Sequence, residues 1–309
     1  MAGIDRNDVV IPDEVMEGII QAVPSQSAVL QMGRRLRDMA RGQTRLAVNS
    51  ELPVAGFVNG DTGLKPISKM SWEGVYINAE ELACIVPVPE SVLADTDYDI
   101  WEEVQPRIVE AMGAAIDAAI LFGVNKPASW PDDLLTGATA ASQVVQHGSD
   151  PTKDLYDEIM GEGGVLALVE EDGFAVTGHI AALNLRAKLR SLRTQDGLPI
   201  FTSSMQDINR YALDGEPIEF PRNGFDASAA LLFAGDWNQL VWSMRQDISM
   251  KFATEAVLTD NAGNVVLNLF QQDSVALRVV MRLGFALPNP VNLINTNPAT
   301  RYPFAVLVP

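Results

Sequence analysis

Histidine and cysteine, the side chains that most often carry catalysis or bind metal ions, are scarce in this sequence. His147 and His179 are the only histidines, and the single cysteine, Cys84, excludes an intrachain disulfide and a multi-cysteine zinc site. With few partners near them, both histidines are interpreted as surface or helix-cap residues. The G-x-S-x-G, P-loop and dinucleotide-binding motifs are also missing. The sequence therefore predicts no catalytic, cofactor-binding or metal-binding residue.

Neighbouring aspartates could in principle bind calcium. Asp95, Asp97 and Asp99 have the spacing that begins a calcium loop. The loop then needs a glycine where Ile100 stands and a bidentate glutamate where Pro106 stands. We interpret these aspartates as acidic residues at the start of the helix that follows, where negative charge is favourable.

Two further acidic groups could supply paired carboxylates for hydrolysis. They are Glu80-Glu81 and Glu170-Glu171-Asp172. Adjacent residues of a strand point to opposite faces, and nothing in the sequence fixes the distance between their carboxylates. A soluble acidic hydrolase that uses Glu80, Glu81 or the aspartates near residue 97 is therefore kept as a remote alternative.

The densest basic segment contains Arg34, Arg35, Arg37, Arg41 and Arg45. The spacing of all but Arg35 by three and four positions predicts one face of a helix. Such a face could contact nucleic acid or the carboxylates of a neighbouring subunit. We favour the subunit contact because no aromatic residue lies among the arginines and the chain as a whole is acidic.

The overall charge limits the classes of partner. The 309 residues include 22 basic and 40 acidic side chains, so the net charge is 22 − 40 = −18, and 47% of the residues are hydrophobic. This composition is typical of a soluble globular protein and argues against an electrostatic nucleic-acid binder. No secretory signal is visible, and the apolar run 111–124 is shorter than the ~20 residues of a membrane span. We therefore expect no membrane partner and synthesis in the cytoplasm.

The elements that must position these residues begin with an arm and a hairpin. Residues 1–12 are polar, and a short helix is expected from Asp13 to Pro24. Strand-like stretches at 44–48 and 72–77 bracket a segment rich in Gly, Pro, Asn and Ser, which predicts a long protruding hairpin. A loop of this length is unusual inside a compact domain, so we expect it to become ordered against another subunit.

The rest of the chain alternates helices and strands. The most regular helix is expected over residues 99–122, with a kink or a late start at Pro106. Another helix is expected at 155–169, interrupted by glycines, and residues 127–152 are expected to be a loop or a domain crossing. The other predicted elements are strands at 82–88, 174–177, 218–220, 230–234, 239–243 and 275–283 and a helix at 179–192.

The order of several segments resembles the major capsid proteins of tailed bacteriophages, which have the Hong Kong ninety-seven fold. The segments are IPDEVMEGIIQAVPSQSAVL, GDTGLKPISKMSW, ELACIVPVPESVLADTDYDIWEEVQPRIVEAMGAAIDAAILFG, LRAKLRSLRTQDGLPIF, GDWNQLVWSMRQDISMK and LFQQDSVALRVVMRLGFAL. The resemblance implies an α+β fold with four parts. They are an N-terminal arm (1–49), an extended loop (50–79), a peripheral domain (80–140 and 237–282) with a spine helix at about 99–122, and an axial domain (141–236 and 283–309).

The resemblance also implies a function without enzymatic activity. Such a chain self-assembles into hexamers and pentamers of an icosahedral shell, is made in the bacterial cytoplasm and ends in the virion. The implied partners are a separate scaffolding protein, a portal and a decoration protein, with packaged double-stranded DNA held only by weak, non-specific contacts. An encapsulin-type nanocompartment shell, which resembles the same fold, is the nearest alternative.

Some members of this family link their subunits covalently, and the resemblance assigns candidate residues. Lys65 matches the lysine of the extended loop, and Asn264 and Asn268 lie near the position of the partner asparagine. The family has a glutamate as base where this chain has Gln272 or Asp273. A salt bridge of the loop or simple packing is the alternative to a covalent bond.

Overall fold

The architecture is α+β, with a long helix packed against one sheet and short helices packed against a second sheet. The computed structural model describes residues 27–57, 65, 67–95, 100–192, 212–260 and 262–309. The helix expected from Asp13 to Pro24 and the residues Asp97 and Asp99 lie outside this described part of the chain.

The described part contains seven α-helices and fourteen strands, numbered here in chain order. The helices are α1 (Ala28–Met32), α2 (Glu90–Asp95), α3 (Ile100–Phe122), α4 (Leu134–Ala140), α5 (Leu155–Met160), α6 (Val165–Glu171) and α7 (Leu185–Ser191). The first strands are β1 (Arg34–Arg35), β2 (Gln43–Glu51), β3 (Ser71–Asn78), β4 (Glu80–Pro89), β5 (Val144–Gln146), β6 (Gly178–Ala181) and β7 (Ala212–Leu213). The remaining strands are β8 (Glu216–Glu219), β9 (Leu232–Gly235), β10 (Val241–Ala253), β11 (Val257–Thr259), β12 (Val265–Asn268), β13 (Ser274–Ala286) and β14 (Phe304–Val308).

Helix α3 forms because its apolar residues recur every three or four positions and so share one face. Ile108, Met112, Ile116 and Ile120 are all buried on that face. The sequence-based prediction of this helix is confirmed. It runs through Pro106 and does not begin after it, so the predicted late start is wrong.

The first sheet, with strand order β1-β10-β13-β4, provides the surface on which α3 packs. Strands β10, β13 and β4 pair antiparallel, whereas the short β1 pairs parallel to β10. One face of β13 supplies Leu277, Val279, Met281, Leu283 and Phe285 to the largest core cluster of the described residues. This alternation confirms the predicted strand at 275–283, which extends three residues further to Ala286.

The second sheet has the order β5-β14-β9-β6-β8-β7. Every residue of its central strands β6 and β9 is buried, and apart from His179 their sequences are apolar. Helices α5, α6 and α7 cover it with a separate core that includes Ile159, Val169 and Leu185. Glycines between α5 and α6 end the first helix at Met160, as predicted.

Several predicted elements are displaced or incomplete. The strand expected at 174–177 is β6, four residues later, and the helix expected from His179 begins only at Leu185. Residues 127–152 include helix α4 and strand β5 in addition to loops. The short strand expected at 239–243 is the beginning of the 13-residue β10. For the strands, pairing with neighbouring strands decides the boundary, and local propensity does not show it.

The core beneath α3 yields a stability prediction. Phe285 is fully buried on β13, and its ring meets Trp130 edge-to-face with centroids 5.1 Å apart. We expect Phe285→Ala to lower the free energy of unfolding of the unassembled subunit by about 3–5 kcal/mol, because it removes buried area and leaves a cavity.

Urea unfolding followed by tryptophan fluorescence measures this effect. The matched control is Phe270→Ala, since Phe270 is 72% exposed and should change the unfolding midpoint little. Equal effects of the two substitutions would contradict the assignment of Phe285 to the core.

Candidate assembly surfaces

Strands β2 and β3 form the predicted hairpin, and its base is fixed to the rest of the subunit. The pairing runs from Gln43 opposite Asn78 to Glu51 opposite Ser71. The Asn78 side chain donates to the Ser129 carbonyl (2.8 Å), and the Asn78 carbonyl accepts from Trp130 Nε1 (3.0 Å). The hairpin is therefore tied to the loop that follows helix α3.

A small third core also holds the base of the hairpin. Met39, Ile77, Val241 and Ala286 are buried together in it. Val241 and Ala286 belong to the first sheet and face away from α3, because the core residues of β10 and β13 alternate with them. The hairpin base thus covers part of the outer face of that sheet.

The far end of the hairpin, by contrast, leaves large apolar side chains uncovered. Phe57 and Ile67 are almost fully exposed, and Val54 and Trp72 are more than half exposed. Exposed apolar groups concentrated in one segment mark an interaction surface. The subunit has no described element that covers them.

A second apolar projection lies beyond the ends of β10 and β13. Strands β11 and β12 form a hairpin whose turn is held by Asp260, which accepts hydrogen bonds from the backbone N–H groups of Ala262 (2.9 Å) and Asn264 (2.8 Å). Val265 and Val266 are about two-thirds exposed on it. This hairpin is another candidate contact surface.

The residues named for a covalent link lie on these two projections. Lys65 is exposed in the loop between β2 and β3. The Asn264 side chain donates to Asp260 (3.0 Å), and Asn268 pairs with Val257 in the β11–β12 ladder. Asp273, with a positive φ of 42°, is exposed at the turn before β13. One subunit therefore carries Lys65 on the first hairpin, Asn264 and Asn268 on the second, and Asp273 in the turn that leads from the second hairpin into β13.

The arginine cluster does not form the predicted helix face. Arg34 and Arg35 form strand β1, Arg37 and Arg41 lie in the connection that follows, and Arg45 is in β2. The helix expected from the spacing by three and four positions does not form, because the backbone of this segment pairs with another strand instead. The Arg34 N–H donates to the Leu240 carbonyl (2.9 Å). All five side chains are exposed.

Two of these arginines already have contacts within the subunit. Arg35 forms an ion pair with Asp38 (3.1 Å), and its guanidinium lies 5.5 Å from the centre of the Trp242 ring. The Arg45 side chain passes over Gly74 of the opposite strand, in space that any larger residue at position 74 would occupy. The remaining arginines keep their charges available at the surface.

Asp117 is a structural anchor that the sequence patterns did not reveal. It is buried on helix α3 and accepts hydrogen bonds from Ser27 Oγ (2.5 Å), Ala28 N (3.0 Å) and Val29 N (3.2 Å). Its carboxylate thereby caps the first turn of α1 and attaches the N-terminal part of the chain to α3. The only signal in the sequence is a single acid within the apolar run 111–124.

The environment of Asp117 disfavours its charge. Burial raises the pKa of Asp117 to about 6, and the three hydrogen bonds from Ser27, Ala28 and Val29 offset only part of that rise. Within the described part of the chain, no basic side chain forms an ion pair with this carboxylate. At neutral pH the Asp117 carboxylate is therefore ionised, and the burial of its charge lowers the stability of the folded state.

The predicted surface position of His179 is wrong. Its ring is fully buried on β6, between Ala234 of β9 and Ile218 of β8. Burial lowers the pKa of His179 to about 4, although the Pro217 carbonyl and the Asp214 charge favour the protonated form. His147 is partly exposed, and its Nδ1 lies 2.6 Å from the buried carboxylate of Glu158. Both histidines are part of the packing of the second sheet.

The acidic groups are engaged in structural contacts. Glu80 accepts a hydrogen bond from Ser129 Oγ (2.5 Å), and Glu81 forms an ion pair with Arg282 (2.6 Å). The described residues include no cluster of three or more His, Cys, Asp or Glu side chains that could hold a metal ion. In the same part of the chain, no helix is both long and apolar enough to cross a membrane.

Comparisons with known proteins agree with this architecture. Residues 7–294 match the model of the phage capsid family. The chain is 25% identical over 300 residues to the major capsid protein of Staphylococcus phage 80alpha, covering 96% of this chain and 87% of that protein.

Solved structures give the same result. One from Microbacterium phage Oxtober96 shares 34% identity and a TM-score of 0.77, covering 100% of this chain and 96% of that chain. One from Mycobacterium phage Adephagia is 30% identical, with a TM-score of 0.77, and the match covers 100% of this chain and 98% of that chain.

The chain belongs to the phage capsid family, because the family model spans most of its length. Its function is that of a major capsid protein of a tailed phage, with the α+β Hong Kong ninety-seven fold that the sequence predicted. The family is one of structural proteins, and a capsid protein is located in the virion. Since the relatives named above are phage proteins, the encapsulin alternative is not favoured.

The buried carboxylate of Asp117 yields a prediction about pH. Its pKa is raised from 3.8 to about 6, so the stability that its protonated form contributes is present at low pH and is lost as the pH rises through 6. We expect the wild-type free energy of unfolding, relative to Asp117→Asn, to fall by about 2 kcal/mol between pH 4.5 and pH 7.5. The amide of the variant stays neutral across this range.

Urea unfolding of the wild type and of Asp117→Asn at pH 4.5, 6.0 and 7.5 measures the difference between their free energies of unfolding. The contributions of other titrating groups largely cancel in this difference. Parallel stability profiles for the wild type and the variant would show that Asp117 titrates alike in the folded and unfolded states.

Proposed function

We propose that this chain self-assembles into the hexamers and pentamers of an icosahedral shell that encloses packaged double-stranded DNA. The observation that carries the proposal is the β2–β3 hairpin, whose base is fixed and whose far end is apolar and uncovered. Burying Phe57, Ile67 and Trp72 against a neighbouring subunit would remove apolar surface from water at about 25 cal/mol per Å². A shell of such subunits gains large interfaces by wrapping each hairpin over its neighbour.

The division of the chain in the proposed shell follows the two sheets. The first sheet and α3 correspond to a peripheral domain (80–140 and 237–282), and the second sheet to an axial domain (141–236 and 283–309). Residues 1–49 form the proposed arm, and 50–79 the extended loop. Strand β13, which ends at Ala286, joins the two domains because it crosses the boundary at 282.

The proposed partners follow from charge and from assembly. With a net charge of −18, the chain is suited to only weak, non-specific contact with DNA, so closure around a genome would depend on a separate scaffolding protein and a portal. A decoration protein is a further candidate partner. The exposed arginines Arg34, Arg37 and Arg41 are proposed to meet carboxylates of a neighbouring subunit. Synthesis takes place in the host cytoplasm, and no enzymatic step is part of the proposal.

Electron microscopy of the purified protein tests assembly through the hairpin. Negative staining of the wild type is expected to show rings or closed shells. Phe57→Ser combined with Ile67→Ser should raise the protein concentration needed for assembly at least tenfold, because the hairpin loses apolar contact area while the subunit core is unchanged.

The control for this experiment is Leu183→Ser, since Leu183 is an exposed aliphatic residue on the turn before α7. It should assemble like the wild type. A wild-type particle no larger than a tetramer, even with scaffolding protein present, would exclude the proposed shell. Normal shells from the double variant would exclude the hairpin as the principal contact.

A covalent link between subunits is a separate question. In such a link the Lys65 amine would attack the side-chain amide of Asn264 or Asn268 in a neighbour, ammonia would leave, and Asp273 would accept the proton. The hydrogen bond from Asn264 to Asp260 and the short side chain of Asp273 favour the non-covalent alternative instead.

We therefore expect boiled particles to run as a single band near 33.5 kDa in denaturing electrophoresis. A ladder of multimers in the wild type that is lost in Lys65→Gln would establish the covalent link.

A further inference from the structure

Most of the connection between β13 and β14 is an uncharged surface loop. Residues 283–300 contain no Asp, Glu, Lys or Arg, although 20% of the whole chain is charged. The part of this stretch that follows β13, residues 287–300, is called the neutral loop. Its composition is unusual for the surface of a protein with a net charge of −18.

A buried aspartate at the end of helix α6 orders the neutral loop. Asp172 accepts hydrogen bonds through its carboxylate from Asn295 Nδ2 (2.7 Å) and from the backbone N–H of Tyr302 (2.8 Å). Its backbone carbonyl accepts from Asn292 Nδ2 (2.6 Å), and Gln143 Nε2 donates to the carboxylate (2.7 Å). The loop is thereby fastened through Asn292 and Asn295 to the end of α6, a helix that packs against the second sheet.

A buried arginine holds the loop from its other end. Arg301 donates to the Asn289 side chain (3.1 Å), to the Asn289 carbonyl (3.0 Å) and to the Asn295 carbonyl (3.0 Å). Asn289 donates back to the Arg301 carbonyl (2.8 Å). Burying a carboxylate and a guanidinium costs desolvation energy, which these hydrogen bonds have to offset. Two buried charged side chains, Asp172 and Arg301, therefore fix the position of a surface loop.

The loop so ordered presents two large aliphatic side chains to solvent. Leu293 is 76% exposed and Ile294 is 71% exposed. The Asn292 side chain accepts from the backbone N–H groups of Ile294 (3.1 Å) and Asn295 (2.8 Å), which sets the local turn. An apolar pair on a pre-ordered loop loses little conformational entropy when it is bound.

Electrostatics identifies a second copy of the chain as the occupant. Copies that each carry a charge of −18 repel one another, and contact costs least where neither surface bears a charge. The centres of protein interfaces are accordingly depleted in charged residues. The neutral loop also adjoins the hairpin surface, because the Val291 N–H donates to the Asn49 carbonyl of β2 (3.2 Å).

We propose that the neutral loop, through Leu293 and Ile294, is a contact surface for a second copy of this chain, pre-ordered by Asp172 and Arg301. This inference rests on the proposed function and names a further surface for the same assembly. It is distinct from the far end of the β2–β3 hairpin.

The first test is Leu293→Ser combined with Ile294→Ser. Both side chains are exposed, so the melting temperature of the unassembled subunit should stay unchanged, while the concentration needed for assembly rises at least tenfold. The matched control is Val124→Ser combined with Leu183→Ser, since both of these residues are more than half exposed elsewhere on the subunit. Equal assembly of the two double variants would overturn the proposal.

A second variant tests the electrostatic argument. Leu293→Asp places a charge on the neutral loop, and its assembly defect at low salt should diminish at 0.5–1 M salt. At that ionic strength the Debye length falls to about 3–5 Å, so the repulsion between the charges of neighbouring copies is weakened. A defect that does not depend on salt would contradict the role of neutrality.

Hydroxyl-radical footprinting measures the contact directly in particles formed by the wild-type chain alone. Oxidation of Leu293 and Ile294 is expected to fall at least threefold relative to the unassembled subunit. Undiminished oxidation in intact shells would overturn this inference while leaving the proposed function in place. Failure of the wild type to form shells even with scaffolding protein present would instead overturn the proposed function.

Discussion

The packing of helix α3 against the first sheet is the interaction on which the other features of the subunit depend. Its apolar face covers β4, β10 and β13 and forms the largest core of the described residues. The same helix carries Asp117, which holds α1, and the loop that follows it carries Ser129 and Trp130, which hold the hairpin base. Helix α3 therefore fills the core and also anchors two other segments, α1 and the base of the β2–β3 hairpin.

This arrangement separates the parts of the subunit that are stable alone from those that are completed by neighbours. The two large cores and the small one beneath the hairpin base consist of buried aliphatic and aromatic residues. The far end of the β2–β3 hairpin, the β11–β12 hairpin and the neutral loop expose their apolar residues. A polypeptide can tolerate this exposure if hydrogen bonds hold each projection in shape, as Asn78 does at the base of the β2–β3 hairpin, Asp260 in the turn of the β11–β12 hairpin and Asp172 beneath the neutral loop.

The sequence predicted the elements whose hydrophobic period is long and regular. Helix α3 and β13 were recognisable because five or more apolar positions recur at the spacing of one structure. The β2–β3 hairpin was recognisable because two strand-like stretches bracket a segment rich in Gly, Pro, Asn and Ser. The arginines from Arg34 to Arg45 show the limit of this reasoning, since their helical spacing is compatible with a strand and a loop once β10 supplies backbone partners.

The anchoring residues were beyond prediction for a different reason. Asp117 and Asp172 act on segments about ninety and more than a hundred residues away in the chain. Their types are ordinary, and only the folded arrangement brings the donor groups to them. The buried position of His179 likewise depends on two neighbouring strands, β8 and β9, which follow it in the chain.

Strand β13 also has a mechanical consequence. It is paired on both sides for most of its length, with β4 and with β10, and it continues directly into the neutral loop at one end and to the β11–β12 hairpin at the other. A pull along the strand axis loads the hydrogen bonds of both ladders in shear, so that many bonds must break together before the strand can slide. Outward pressure on a filled shell would pull neighbouring subunits apart in the plane of the wall. A central strand held in this way would resist any component of that load that acts along its axis, so that the load is shared by both ladders and does not fall only on the loops at either end.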